Sequence, residues 1–242
     1  MNKVIFGFAF FILMASSASK AAAQKDKVWG SWVINNVEYE FAKNFIGYFE
    51  LQTRSQAMYN HFNYYEIKGG ISYRITKNFS ALVGFGNYGT YDWKNIRGAK
   101  TNDELRLWQQ FVISQKPIER IKLEHRFRAE QASINGRYRN RFRYRVNLIV
   151  PLNKDKVEKN TVFVSAFDEI FLTDTPPYFM RNRIYAGLGY QATKFLTIQA
   201  GWVNQFNYNF NTKGGKNNLL VSINFRILRD DNKFDGVPTM RD

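Results

Sequence analysis

The chain has no cysteine, two histidines and five prolines among its 242 residues. Without cysteine there is no disulfide framework, no lipidated-cysteine anchor and no thiolate metal site. With only His61 and His125, a transition-metal centre or a histidine-based hydrolase has few residues to draw on. Acidic residues are also scarce, at 20 Asp and Glu against 35 Lys and Arg, which gives a formal net charge of +15. Long apolar runs are missing after residues 4–15, and that run falls short of the ~20 apolar residues that a spanning helix needs.

That single apolar run is read as part of a secretory signal peptide over residues 1–23. Lys3 supplies its positive end, and Ala21-Ala22-Ala23 offers a small-residue cleavage site before Gln24. Losing Lys3 and Lys20 with it lowers the charge from +15 to +13. On an exported chain, such a surplus points to anionic outer-leaflet lipid, sugar acids or other anionic solutes rather than to nucleic acid.

What the chain has in abundance is aromatic side chains, with 22 Phe, 14 Tyr and 5 Trp, and they recur with a period of two. From Arg137 to Arg145 every second residue is arginine: Arg137, Arg139, Arg141, Arg143 and Arg145 share one face of a strand. Tyr138, Phe142 and Tyr144 share the other. In residues 195–208 Leu196, Ile198, Ala200, Trp202, Phe206 and Tyr208 oppose Thr197, Gln199, Gly201, Gln205 and Asn207. In residues 121–132 Ile121, Leu123, Phe127 and Ala129 oppose Lys122, Glu124, Arg126, Arg128 and Glu130. Segment 161–173 departs from the pattern, because Phe163, Phe167 and Phe171 share a face with Glu169, and a β-bulge is expected there.

A soluble β-sandwich would alternate in the same way. The aromatic excess, the scarcity of Pro and Gly, and an apolar span of ~10 residues per strand favour a strand that crosses a bilayer. Mean hydropathy of −0.42 fits this reading, since inward polar residues dilute outward apolar ones. The expected fold is therefore all-β: a transmembrane antiparallel up-and-down barrel over residues 24–228, in the cell outer membrane, with a polar Arg-rich lumen and a polar tail over 229–242. Eleven alternating segments can be counted, and the even-number habit of single-chain bacterial barrels turns that into an expectation of ten or twelve strands. Short turns at 42–44, 76–78 and 193–194 and longer loops at 92–102, 174–180 and 209–216 suggest one short-turn rim and one long-loop rim. The Thr-Lys turns at 76–77 and 193–194 sit in similar sequence, by duplication or by convergence on good hairpin chemistry.

These residues resemble a family of uncharacterised outer-membrane β-barrel proteins of Gram-negative bacteria, classed as a domain of unknown function. The matching features are Trp29-Gly30, the Thr-Lys turns, Arg141-Phe142-Arg143-Tyr144-Arg145, Phe167-Asp168-Glu169-Ile170-Phe171, and the run Arg183-Ile184-Tyr185-Ala186-Gly187-Leu188-Gly189-Tyr190. The resemblance spans essentially all of the chain after residue 23. It implies location and fold, and brings no activity or ligand.

The candidate site is the charged lumen, formed by Arg126, Arg128, Arg137, Arg139, Arg141, Arg143, Arg145, Arg181 and Arg183 with Glu124, Glu130 and Glu169. Two readings stay open: a path for small anionic solutes, or a salt-bridged plug in a structural or interaction barrel. No catalytic residue, cofactor or metal is expected. A pairing of His125 with Ser114 fails because the two fall on opposite faces, which weighs against a lipid hydrolase.

Overall fold

Alternation this regular can be satisfied only by strands, and the computed structural model, which describes residues 28–229, is made of them. They are β1 (Gly30–Ala42), β2 (Phe45–Ala57), β3 (Asn60–Thr76), β4 (Phe79–Thr90), β5 (Asn102–Ile118), β6 (Ile121–Ile134), β7 (Arg137–Pro151), β8 (Thr161–Thr173), β9 (Phe179–Gln191), β10 (Leu196–Tyr208) and β11 (Lys213–Ile227). Among the described residues no helix is long and apolar enough to cross a membrane, which says nothing about strands. The signal-peptide segment and all but the first residue of the expected tail lie outside the described residues.

Successive strands pair antiparallel, and β1 pairs with β11 to close the barrel. The expectation of ten or twelve strands is thereby corrected to eleven. An odd number of hairpin-linked strands leaves the first and last pointing the same way, so the closing pair is parallel, from Gly30↔Asn218 to Tyr39↔Ile227. That ladder satisfies both free edges, and no further strand is needed. All eleven alternating segments of the sequence are wall strands, including the first.

The rims follow from the same topology. One rim, here the turn rim, carries connections 43–44, 77–78, 119–120 and 192–195; the loop rim carries 91–101, 174–178 and 209–212. The division is incomplete, because the loop rim also has the two-residue turns 58–59 and 135–136, and the turn rim has the long connection 152–160. Asn135 and Gly136 both have positive φ (49° and 80°), as a tight two-residue hairpin with the strands' own twist requires. The 152–160 connection is held down by Arg120, whose Nη2 donates to the carbonyls of Pro151 (3.3 Å), Leu152 (3.1 Å) and Lys154 (3.3 Å). The ammonium of Lys154, 3.0 Å from Glu158, keeps that exposed carboxyl below the usual carboxylate range.

The register irregularity expected in β8 is present only at its end, and it does not cause the departure from the pattern. The register of β8 against β7 runs unbroken from Arg141↔Thr173 to Pro151↔Phe163, and against β9 it shifts only at Phe171/Leu172. Phe163, Phe167 and Phe171 instead point inward with Glu169 and are fully buried. The lumen therefore holds apolar as well as charged side chains. Trp32, Ile34, Phe167, Tyr185, Val203 and Leu220 form one cluster, and Tyr48, Leu82 and Trp108 another. Ile149 and Phe163 form a third, with Val157 of the 152–160 connection packed against it.

Glycine makes room for these rings. Gly84 faces Trp108 across β4 and β5, and Gly189 faces Phe163 across β8 and β9. A Cβ at either glycine would overlap the aromatic ring opposite. Gly189→Val is expected to displace Phe163 and lower stability by ~1–3 kcal/mol, the usual cost of overpacking. Gly214→Ala, where a Cβ meets nothing within 4 Å, should leave thermal unfolding of the purified protein unchanged.

Candidate functional site

The barrel is inside out relative to a water-soluble domain. Every strand puts a large apolar side chain on the outer face, among them Phe49, Ile71, Phe85, Leu105, Phe127, Phe142, Leu188, Ile198 and Phe225. Phe85 is 69% exposed, whereas the carboxylates of Glu130 and Glu169 are 0% exposed. Buried charge on this scale is tolerated only where each ion has partners of opposite sign or strong hydrogen bonds.

Two carboxylates organise the interior. Glu169 lies 2.5 Å from Arg126 Nη2, 2.8 Å from Arg143 Nη2, 2.8 Å from Arg145 Nη2 and 3.7 Å from Arg183 Nη1. Glu130 accepts from Arg141 Nε at 2.5 Å and Arg143 Nη1 at 2.9 Å. It also lies 3.4 Å from Arg128 and 3.8 Å from Arg106. Arg143 reaches both acids and links the two groups. Glu124 is bound separately, 2.8 Å from Lys122.

Seven arginines thus gather around two carboxylates, and aromatic faces take up part of the excess. Arg145 stacks 3.9 Å from the centre of the Phe167 ring, Arg143 4.4 Å from Phe171, Arg106 3.8 Å from Tyr88, and Arg183 4.8 Å from Trp32. A guanidinium over a ring keeps a favourable contact after losing water. This gives the inward phenylalanines of β8 their place beside Glu169.

Of the candidate residues, Arg126, Arg128, Arg141, Arg143, Arg145, Arg183, Glu124, Glu130 and Glu169 are buried in the lumen. Arg139 and Arg181 are half-buried at its loop-rim mouth, and Arg137 is exposed on the rim. Period-two reading assigns a face correctly but carries no depth along the strand, so the five arginines of 137–145 fall into different surroundings. Glu38 and Glu40 of β1 also form inward ion pairs and were not among the candidates: Glu38 lies 3.1 Å from Arg226, and Glu40 lies 3.5 Å from Arg74. The signal was present, because Trp32, Ile34, Asn36, Glu38 and Glu40 are one face of β1.

At the loop rim the lumen widens into a mouth of about 800 Å³, bordered by Trp32, Arg54, Glu104, Arg106, Arg139, Arg141, Arg181 and Lys216 among others. Inward side chains at mid-height on all eleven strands are buried, for example Ile34, Gln52, Lys68, Leu82, Gln110, Arg128, Arg145, Phe167, Tyr185, Val203 and Leu220.

Residues 29–216 match the family described as "Protein of unknown function (DUF2490)". The chain belongs to this family. No curated protein matches the sequence. Among solved structures, LpxR from Salmonella typhimurium is similar at a TM-score of 0.44 and 11% identity, over 75% of this chain and 83% of that one.

The histidines stand apart from the charged interior. His125 is on the outer face, its Nδ1 2.9 Å from the Tyr144 hydroxyl, whereas Ser114 lies inside, 3.4 Å from Glu124. His61 sits by Trp93, with ring centres 4.3 Å apart. Among the described residues, no group of three or more His, Cys, Asp or Glu is placed to hold a metal ion.

Removing one of the two central acids should be costly. Glu169→Gln leaves Arg126, Arg143, Arg145 and Arg183 without their common counter-ion and is expected to lower stability by ~3–5 kcal/mol. Glu158→Gln, on the exposed 152–160 connection, should melt close to wild type. Equal melting of the two variants would show that the interior network does not hold the barrel.

Proposed function

We propose that the protein is an integral outer-membrane β-barrel whose lumen is closed, a structural or interaction barrel that presents its loop rim to the exterior. The observation that carries this reading is the inside-out distribution of charge and apolar surface. An apolar belt on every strand of a closed sheet suits hydrocarbon, and closure leaves no backbone edge for the bilayer to solvate. The expected signal peptide supports export. The longest connection, 91–101, favours placing the loop rim outside, as is usual for such barrels.

Closure of the lumen rests on three groups of inward side chains. They are the Glu130 and Glu169 networks, the ring clusters around Trp108 and Tyr185, and Val157 against Phe163 at the turn rim. An anion path would need a continuous file of water-accessible cations. Here the central arginines are engaged by carboxylates and rings.

Fractionation and conductance test the two halves separately. The protein should sediment with outer membranes, resist carbonate extraction, and run faster on a gel when unheated. In a planar bilayer it should be electrically silent. Recovery as a soluble species would overturn the membrane assignment. Steady anion-selective conductance would instead establish the channel.

A further inference from the structure

Among the described residues, the loop-rim mouth holds more arginines than carboxylates. Its walls carry Arg54, Arg106, Arg139, Arg141 and Arg181, and among the described residues one carboxylate, Glu104, lines it. Glu104 is bound by Arg106 at 2.6 Å. Glu66 and Glu130 reach in from behind the wall to Arg54 (2.6 Å) and Arg141, yet Glu66 also serves Lys68, and Glu130 also serves Arg143 and Arg128. Arg139 and Arg181 have no carboxylate partner among the described residues. Arg181 Nε donates to Asn207 Oδ1 at 2.6 Å, and its guanidinium lies 5.4 Å from the centre of the Phe171 ring. Arg139 keeps a buried Nε with no hydrogen-bond partner, and it also borders an adjoining recess of about 600 Å³.

These cations are held in place. Arg54 lies over Trp32 (3.9 Å) and Tyr64 (4.6 Å), and Arg106 over Tyr88 (3.8 Å). The rim above is also tied down. Asn135 Nδ2 donates to the Thr101 carbonyl (3.2 Å), and Lys100 Nζ donates to Asp103 (2.9 Å). Hydrogen bonds with Tyr65 and then Asp103 raise the Lys100 ammonium above its usual range, so it stays charged. Side chains fixed before binding lose little entropy on binding, and a concave basic surface with low-dielectric walls concentrates anions.

We propose that this mouth is a binding cup for a soluble polyanion carrying two or more phosphate or carboxylate groups. Its volume of about 800 Å³ is that of a small-molecule site. The arginines come from β2, β5, β7 and β9, so a single small ion cannot meet them all and a molecule with several anionic groups can. The cup opens along the barrel axis, away from the outer wall, which favours a solute over a lipid headgroup. The inference deepens the closed-barrel reading: a sealed floor makes this a receptor site instead of the entrance to a pore.

Tripolyphosphate, citrate and orthophosphate can be titrated into the detergent-solubilised full chain, with heat and tryptophan emission as readouts, since Trp32 borders the cup. Tripolyphosphate or citrate should saturate one site at least tenfold more tightly than orthophosphate, and added salt should weaken the binding. Arg139→Gln and Arg181→Gln should each weaken it about tenfold, the order of one lost charge-assisted hydrogen bond. Their unliganded melting should stay near wild type, because neither residue is paired with a carboxylate. Arg137→Gln on the exposed rim should bind as wild type does. Failure of both polyanions to saturate, or undiminished binding by the Arg139/Arg181 double variant, would overturn the proposal. So would engagement only by nanodiscs containing phosphatidic acid, which would make the ligand a lipid. Conductance plays no part in this assay: a conducting barrel that binds would refute closure alone, and a silent barrel that does not bind would refute the cup alone.

Discussion

The structure depends on how two buried carboxylates, Glu130 and Glu169, share seven buried arginines inside the barrel. An eight-stranded barrel is filled by ordinary side chains, but the diameter grows with strand number. Eleven strands enclose more room than leucine or valine can fill from the walls. Arginine, tryptophan and phenylalanine are long enough to meet across it. Arginine brings a charge wherever it is used, so the filling has to include acids at its centre and aromatic faces beside it. The polar character of the lumen is in this sense a consequence of its width.

The same constraint shapes the chain before it folds. A lumen filled with apolar side chains would make each strand apolar on both faces, a run of a dozen or more residues approaching the length of a spanning helix. Alternation with Arg, Lys, Glu and Gln keeps mean hydropathy at −0.42 while leaving the finished outer face apolar. Glycine works at the opposite scale. At Gly84 and Gly189 a missing side chain lets Trp108 and Phe163 lie against the wall, so large and small residues interlock across neighbouring strands.

Much of this was legible in the sequence, and the limits have physical causes. Period-two patterning counted all eleven strands and gave the inward face of β6, β7 and β10, because face depends only on parity. Strand number was misjudged because an even count was imposed on eleven visible segments; a parallel closing pair leaves no local mark in sequence. In β8, inward Phe163, Phe167 and Phe171 look like an error of alternation, since parity cannot tell a lumen-filling ring from a lipid-facing one. Whether the arginines line a path or fill a plug depends on depth and on partners from other strands, such as Arg126 of β6 with Glu169 of β8. Single-strand patterns contain neither.

The parallel seam has a topological consequence. Because β1 and β11 run in the same direction, Gly30 opens at the loop rim and Ile227 ends at the turn rim. In a barrel with an even number of strands, the two ends meet on one side and can be joined by a few residues. Here a join would have to travel the height of the wall, ~30 Å for nine or ten strand residues. Circular permutation by a short linker is therefore barred by geometry. Whatever is attached before β1 and whatever is attached after β11 are delivered to opposite mouths of the barrel.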